Sequence, residues 1–195
     1  VDAVLASLGG ALIEATVSDP LGRPVEATYG MLPGNRAIIE MAAASGLPLL
    51  THAERNPMLT STYGTGQLVL HALRNGAAEV TLAIGGSATN DGGMGAMRAL
   101  GVRFLDGAGG ELQGTGADLG RVARIDISGL DPLVSRASFR LLCDVDNPLL
   151  GPRGATRVFS PQKGATPEQV EELEQGMASY ARVLERTLGR AADKP

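Results

Sequence analysis

Three stretches of the chain hold residues whose types and spacing suit chemistry. The first is Gly85-Gly86-Ser87-Ala88-Thr89-Asn90-Asp91-Gly92-Gly93. It follows an apolar run, Glu79 to Ile84, and precedes a helical pattern, a junction where backbone amides and the helix dipole favour an anion. The glycines permit positive φ and close approach of a ligand, while Ser87, Thr89 and Asn90 add hydrogen bonds. Asp91 does not suit a bare phosphate cradle, because two negative charges repel. It fits better as a metal contact or as a base that accepts a hydroxyl proton. A tight turn with capping residues is the plain structural alternative. No lysine follows the loop as in a Walker A sequence, and Gly93-Met94-Gly95 is not continued into a dinucleotide-binding pattern, so hydride transfer gains little support.

The second stretch is Cys143-Asp144-Val145-Asp146-Asn147-Pro148, expected at the end of a strand, where α/β proteins place ligands. Asp144 and Asp146 can hold magnesium through water, or one of them can orient a substrate hydroxyl; an Asx-type turn before proline is the alternative. Asn147 belongs with the substrate-binding candidates of this stretch. Cys143 itself reads as a small buried apolar residue rather than a nucleophile. The third is Ser160-Pro161-Gln162-Lys163-Gly164. Lysine is rare here: of 17 basic residues only Lys163 and the tail residue Lys194 are lysines. In a glycine-flanked turn, Lys163 can reach a transferring phosphate as a compact charge, or simply be a solvated loop residue. Weaker candidates are Thr65 and Gly66, at the expected start of a helix, and Ser45 beside a possible pocket. His52 and His71 lack acidic or cysteine neighbours at ligand spacing, so no zinc site is expected, and His71 reads as a surface residue of its helix.

Hydropathy patterning supplies the elements that must carry these groups. Residues 11–31 alternate as a β-hairpin around Asp19-Pro20-Leu21-Gly22-Arg23. A strand is expected at 37–41. A helix follows from Gly66 to Asn75, capped by Thr65, with Leu68, Val69, Ala72 and Leu73 inward and Gly76 as its stop. The strand at 79–84, the glycine loop, a helix to Leu100, the stop at Gly101 and a strand at 102–105 read as a βαβ unit with a parallel pair. Residues 107–120 read as loop, and short strands are expected near 124–127 and 139–143. The clearest helix starts at Thr166-Pro167 with Gln169 at its third position. It keeps an apolar stripe of Val170, Leu173, Met177, Tyr180, Leu184 and Leu188, and ends at Gly189. The expected class is α/β: a mixed sheet, a hairpin near the N-terminus, at least one βαβ unit and a long C-terminal helix.

Composition narrows the function classes. Glycine makes up 27 of 195 residues, about twice ordinary usage, without a period of three, which excludes a collagen-like fibre. One cysteine excludes a disulfide scaffold and favours a reducing compartment. A net charge of −4, six tyrosine and phenylalanine residues and no basic block give no nucleic-acid footprint. No apolar run approaches a membrane span. A small-molecule protein of the cytoplasm is the expectation. Val1, Val4, Leu5 and Leu8 fall on one helical face before Gly9-Gly10, as in the end of a longer helix, so the chain is expected to be a piece of a longer protein.

Taken together, Ile39-Glu40-Met41-Ala42-Ala43-Ala44-Ser45-Gly46-Leu47, Thr62-Tyr63-Gly64-Thr65-Gly66, Gly85 to Gly93, Cys143 to Pro148 and Pro161-Gln162-Lys163-Gly164 resemble the bacterial glycerate kinase family, block by block and in order. The resemblance implies phosphorylation of D-glycerate, typically at the 2-hydroxyl, by ATP with magnesium that arrives with the nucleotide. It implies two α/β domains, one inserted in the other. Residues 11–195 correspond to the inserted domain and residues 1–10 to the remnant of a preceding helix. The family's N-terminal Asp-Ser-Phe-Lys-Gly and later Gly-Ala-Ala-Gly-Gly segments are absent, so the missing second domain is an expected partner and the fragment alone is expected to be incomplete. A homo-oligomer is compatible with these features. In the implied mechanism Asp91 or Asp144 orients and deprotonates the hydroxyl. Lys163 and the amides near Gly86 and Ser87 stabilise phosphate charge, with Thr89, Asn90, Asn147, Thr65, Gly66 and Ser45 as binding candidates. The rival reading is a non-catalytic domain that binds a small anion or a partner, or a kinase for another small hydroxy acid.

Overall fold

The structure is a computed structural model that describes residues 1–189 together with Ala191 and Ala192; the tail lysine, Lys194, lies outside the described residues. Helix α1 (Asp2–Leu8) leads into the hairpin of β1 (Ala11–Ser18) and β2 (Pro24–Leu32), whose turn is held by Asp19. Strand β3 (Arg36–Glu40) completes the antiparallel part, pairing Gly30 with Ile38. Then come α2 (Ala42–Ser45), α3 (Tyr63–Arg74), β4 (Glu79–Ala83) and α4 (Met94–Ala99). They are followed by β5 (Arg103–Leu105), β6 (Arg124–Asp126), α5 (Pro132–Arg136), β7 (Ser138–Leu142), α6 (Ala155–Phe159) and α7 (Pro167–Leu188).

The main sheet has the order β1-β2-β3-β4-β7, with β3, β4 and β7 mutually parallel and in register: Glu40, Ala83 and Leu142 lie side by side. The class is therefore mixed α/β, with the expected hairpin and long final helix. The parallel connection is made differently from the sequence reading. The strand after α4 does not return beside β4; β5 pairs antiparallel with β6 in a separate two-stranded sheet. The βαβ unit is β3-α3-β4 instead. A three-residue β5 has alternation for either partner, and nothing local encodes which sheet it joins.

Two cores result. One lies between the sheet and α3, where Tyr29, Ile39, Val80, Leu68 and Ala72 are buried. The other joins α4, the β5–β6 pair, the 3₁₀ turn at Gly116–Arg121 and α7 through Met94, Phe104, Leu119, Leu173 and Met177. The glycine loop 85–93 runs between them. Helix α7 matches its sequence signals: Thr166 and Gln169 form a reciprocal capping box, and Gly189 closes the helix at φ 66°. Its stripe ends earlier than expected, since Leu188 is exposed.

Other local expectations change. Helix α3 begins at Tyr63 with Thr62 as N-cap residue, so Thr65 lies inside the helix rather than capping it. Only glycine fits at 66, because a Cβ there would lie 2.2 Å from the Ala96 carbonyl oxygen of α4. His71 is half-buried rather than a plain surface residue: its Nδ1 lies 3.0 Å from the Tyr29 hydroxyl, with the rings edge to face. Cys143 is exposed, not buried, because its strand lies at the sheet edge. No helix among the described residues is long and apolar enough to cross a membrane.

Candidate functional site

The three parallel strands end together, so Met41, Ile84 and Cys143 leave the sheet side by side. The Met41 amide donates to the Ala83 carbonyl (2.9 Å) and the Ile84 amide to the Leu142 carbonyl (3.3 Å), fixing that alignment. The carboxyl edge of a parallel sheet is the usual ligand crevice of an α/β protein.

The glycine loop divides into an open part and a closed part. Gly85 and Gly86 are exposed and Ser87 half-exposed. Gly86 has φ 75°, and a Cβ built on Gly85 would meet nothing within 4 Å. Among the described residues, no acceptor pairs with the amides of Gly85, Gly86 or Ser87. The next four residues are buried, and each is tied to a different segment. The Ala88 amide donates to the Ser45 carbonyl at 2.8 Å, and the Ala88 carbonyl accepts from the Thr60 hydroxyl at 2.9 Å. The Thr89 carbonyl accepts from Lys163 Nζ at 2.6 Å, and Asn90 Nδ2 donates to the Thr156 hydroxyl at 3.2 Å.

Asp91 is 1% exposed and accepts four hydrogen bonds: from the Thr62 amide (2.8 Å), the Thr62 hydroxyl (2.7 Å), the Gly95 amide (3.2 Å) and the Gly93 amide (3.1 Å). Two of these donors are amides at the start of α4, so Asp91 itself is the anion at that helix end. Burial pushes its pKa up, against the pull of the Thr62, Gly95 and Gly93 donors. Room for a metal or a substrate hydroxyl at this carboxylate is taken by protein. Thr62 completes the tie by accepting from the Ala96 amide at 2.9 Å.

Lys163 sits in a 3₁₀ turn, Pro161–Lys163, closed by Gly164 at φ 97°. It is 8% exposed rather than solvated. Burial lowers its pKa to about 8, while the Asp91 charge holds it up. Burial, with the Asp91 charge second, raises Tyr180, whose ring packs where a side chain on Gly92 would have to go.

Asp144 and Asp146 are exposed just beyond β7, and Asn147 is half-buried with its Nδ2 donating to the Arg153 carbonyl at 2.8 Å. The loop after them is held from α7 by Glu174, which accepts from the Gly151 amide at 2.7 Å. Ser45 and Thr65 are fully buried and bonded to each other through their hydroxyls (2.7 Å), beneath the loop rather than at its surface. Thus Gly86, Ser87, Asp144 and Asn147 lie along the open edge. Thr89, Asn90, Asp91 and Lys163 form the buried support behind it, and Ser45, Thr65 and Gly66 belong to the packing of α2, α3 and α4. A cavity of about 380 Å³ lies apart from these candidates, walled by Ser18, Asp19, Ser61, Tyr63, Arg98 and Thr115 among others.

Sequence reasoning did not single out Thr60, Thr156 or Glu174, and it took in Thr62 only as part of the stretch Thr62 to Gly66. The signal for Thr62 was present: it stands three residues ahead of Thr65, one helical turn, and either can serve as a cap. Thr60 and Thr156 carried no signal, since each meets the loop only through the tertiary fold.

The glycerate kinase family model matches residues 1–195. The chain is 48% identical over 190 residues to a glycerate kinase of Bacillus subtilis and 46% identical over 189 residues to a glycerate 2-kinase of Escherichia coli; it is 97% and 96% covered in these matches. A crystal structure of a provisionally named glycerate kinase 2 from Salmonella typhimurium LT2 superposes with a TM-score of 0.95 at 45% identity, covering 98% of this chain and 51% of that one. The chain spans about half the length of the curated relatives it matches, 50% in the two named here. Over all of its residues, the chain belongs to the glycerate kinase family.

Proposed function

We propose that this chain supplies the phosphate-facing and hydroxyl-facing part of an ATP-dependent kinase that phosphorylates D-glycerate, with 2-phosphoglycerate as product. The observation that carries the reading is the run of three successive amides, Gly85 to Ser87, without an acceptor among the described residues at the carboxyl end of β4. Such amides suit phosphoryl oxygens, and phosphoryl transfer asks for positioning and charge stabilisation more than for covalent help from protein.

The roles divide by exposure. Asp144 orients the glycerate hydroxyl and accepts its proton, because it is the open carboxylate of the two candidates; Asp91 holds the loop. Asn147 places the segment that carries Asp144 through its bond to Arg153. Lys163 acts from behind, bracing the Thr89 carbonyl while its buried charge favours phosphate in front of the loop. Thr89 and Asn90 fix the loop's shape, while Ser45, Thr65 and Gly66 set the floor under it. Magnesium would enter with the nucleotide, as the resemblance to the family implies. Bound there, it would neutralise phosphate charge.

Residues 11–195 are read as the central, inserted domain of a two-domain enzyme of the cytoplasm, with residues 1–10 as the end of a preceding helix. A chain of the family's full length containing these residues, assayed for ADP release with D-glycerate, tests the reading. D-glycerate should give turnover, and Asp144→Asn should lower kcat at least 100-fold. Saturable anion binding with no ADP release would support the non-catalytic reading, and faster turnover of another small hydroxy acid would reassign the substrate.

A further inference from the structure

Among the described residues the half-buried arginines are Arg36, Arg55, Arg98 and Arg157. Three of them are bonded: Arg36 Nε donates to the Pro33 carbonyl (3.1 Å), Arg98 Nη1 donates to the Gln113 carbonyl, and Arg157 pairs with Glu171. Arg55 is not. Its Nε is shut off from solvent without an acceptor, and among the described residues its guanidinium has no hydrogen bond, ion pair or ring contact. The acid beside it, Glu54, is already engaged by Arg23 Nη1 (2.6 Å) and by the Thr51 amide (2.8 Å). An arginine is rarely drawn out of water unless an anion meets it, because the charge loses hydration with nothing in its place. Arg153, on the loop after Asp144, is exposed and keeps its water.

The place of Arg55 is set by the glycine loop. The segment that carries it is fastened to that loop at both ends: the Leu47 amide donates to the Gly86 carbonyl (3.0 Å) and the Thr60 hydroxyl to the Ala88 carbonyl (2.9 Å). Between these ties Arg55 backs onto the turn of Lys163. A Cβ on Gly164 would lie 2.1 Å from the Arg55 carbonyl oxygen and 2.9 Å from the Arg55 Cβ. Two cations therefore stand on touching segments, Lys163 donating to the Thr89 carbonyl and Arg55 to no group. We propose that Arg55 binds the carboxylate of the hydroxy-acid substrate. The assignment rests on the kinase reading above, in which the open amides, Lys163 and Asp144 serve the phosphate and the hydroxyl, and no cation faces the acid's own carboxylate. A guanidinium fork meets a carboxylate through two parallel N–H···O bonds, which fixes the acid's orientation as well as its charge.

A chain of the family's full length containing these residues is titrated with D-glycerate by calorimetry and assayed for ADP release. Arg55→Met should weaken D-glycerate binding about 30-fold and raise its KM to match. The kcat and the KM of ATP should stay within about threefold, the split expected of a group that binds substrate and transition state alike. Arg55→Lys should recover part of the loss, since it keeps the charge without the fork. In the 195-residue chain, Arg55→Met should melt no lower than the parent, because no bond is lost and an unpaired charge leaves a half-buried site. Unchanged D-glycerate affinity in the variant overturns the proposal; the charge then meets the rest of the full-length chain instead. A rise in the KM of ATP alone moves the guanidinium to the nucleotide and overturns the carboxylate assignment. A melting temperature lowered by more than about 3 °C makes Arg55 part of the fold and overturns it too. Arg55-dependent binding of D-glycerate without ADP release would strike the kinase reading and leave this one standing, and turnover indifferent to Arg55 would do the reverse.

Discussion

Two acidic segments leave neighbouring parallel strands, and the fold treats them in opposite ways. The segment after β4 turns inward: from Ala88 to Asp91 each residue is buried and bonded to a different part of the chain. The segment after β7 stays outside, with Asp144 and Asp146 exposed and its end tied down through the bonds of Asn147 to the Arg153 carbonyl and of the Pro148 carbonyl to the Ala155 amide. A carboxylate meeting four donors is spent on structure, whereas one that meets water is available for a ligand. Residue type and neighbouring glycines did not distinguish them.

The comparison breaks most visibly at Asp91. Replacing it with alanine leaves the Thr62, Gly93 and Gly95 donors without their acceptor in a buried site, at a cost of about 4 kcal/mol. Asp91→Asn keeps one oxygen and should cost less. Urea unfolding of the 195-residue chain measures both; a loss below about 1 kcal/mol for the alanine variant would mean that Asp91 is free for another role.

Lys163 gives a smaller effect with a definite sign. Its pKa in the folded chain is about 8, below the ordinary 10.5, so the unfolded chain binds more protons between these values. Stability should therefore rise with pH through that window, by about 2 kcal/mol from pH 7.5 to 9.5. Above pH 10 the raised Tyr180 reverses the slope, since the unfolded tyrosine gives up its proton first. Denaturant titrations should show the rise from pH 7.5 to 9.5 in the parent and no such rise in Lys163→Met, with the fall above pH 10 kept in both. A rise that persists in the variant would assign the titration elsewhere.

Much of this arrangement was legible in the residues. Turn chemistry at Asp19-Pro20 and the capping box at Thr166 and Gln169 act within a few positions of themselves, so local patterns predicted the hairpin and α7. The glycine loop was legible as a junction, but its interior was not. Lys163 lies 74 residues from Thr89 and Asn90 lies 66 from Thr156, and only the packing of α6 and the 3₁₀ turn against the loop brings them together. The same limit hid the fate of β5 and the exposure of Cys143. Alternation marks a strand without naming its partner or its place at a sheet edge.

The smallest expected effect bears on the other half of the comparison. Asp144→Asn should change the unfolding free energy of the 195-residue chain by no more than about 0.5 kcal/mol, because no protein partner in the described structure depends on its charge. Together with the loss of turnover expected in the full-length context, that near-silence separates a residue kept for a ligand from one kept for the fold. A stability loss as large as that of Asp91→Ala would remove the distinction, since both carboxylates would then be structural. The open amides of Gly85 to Ser87 would be left as the only part of this edge aimed at a substrate.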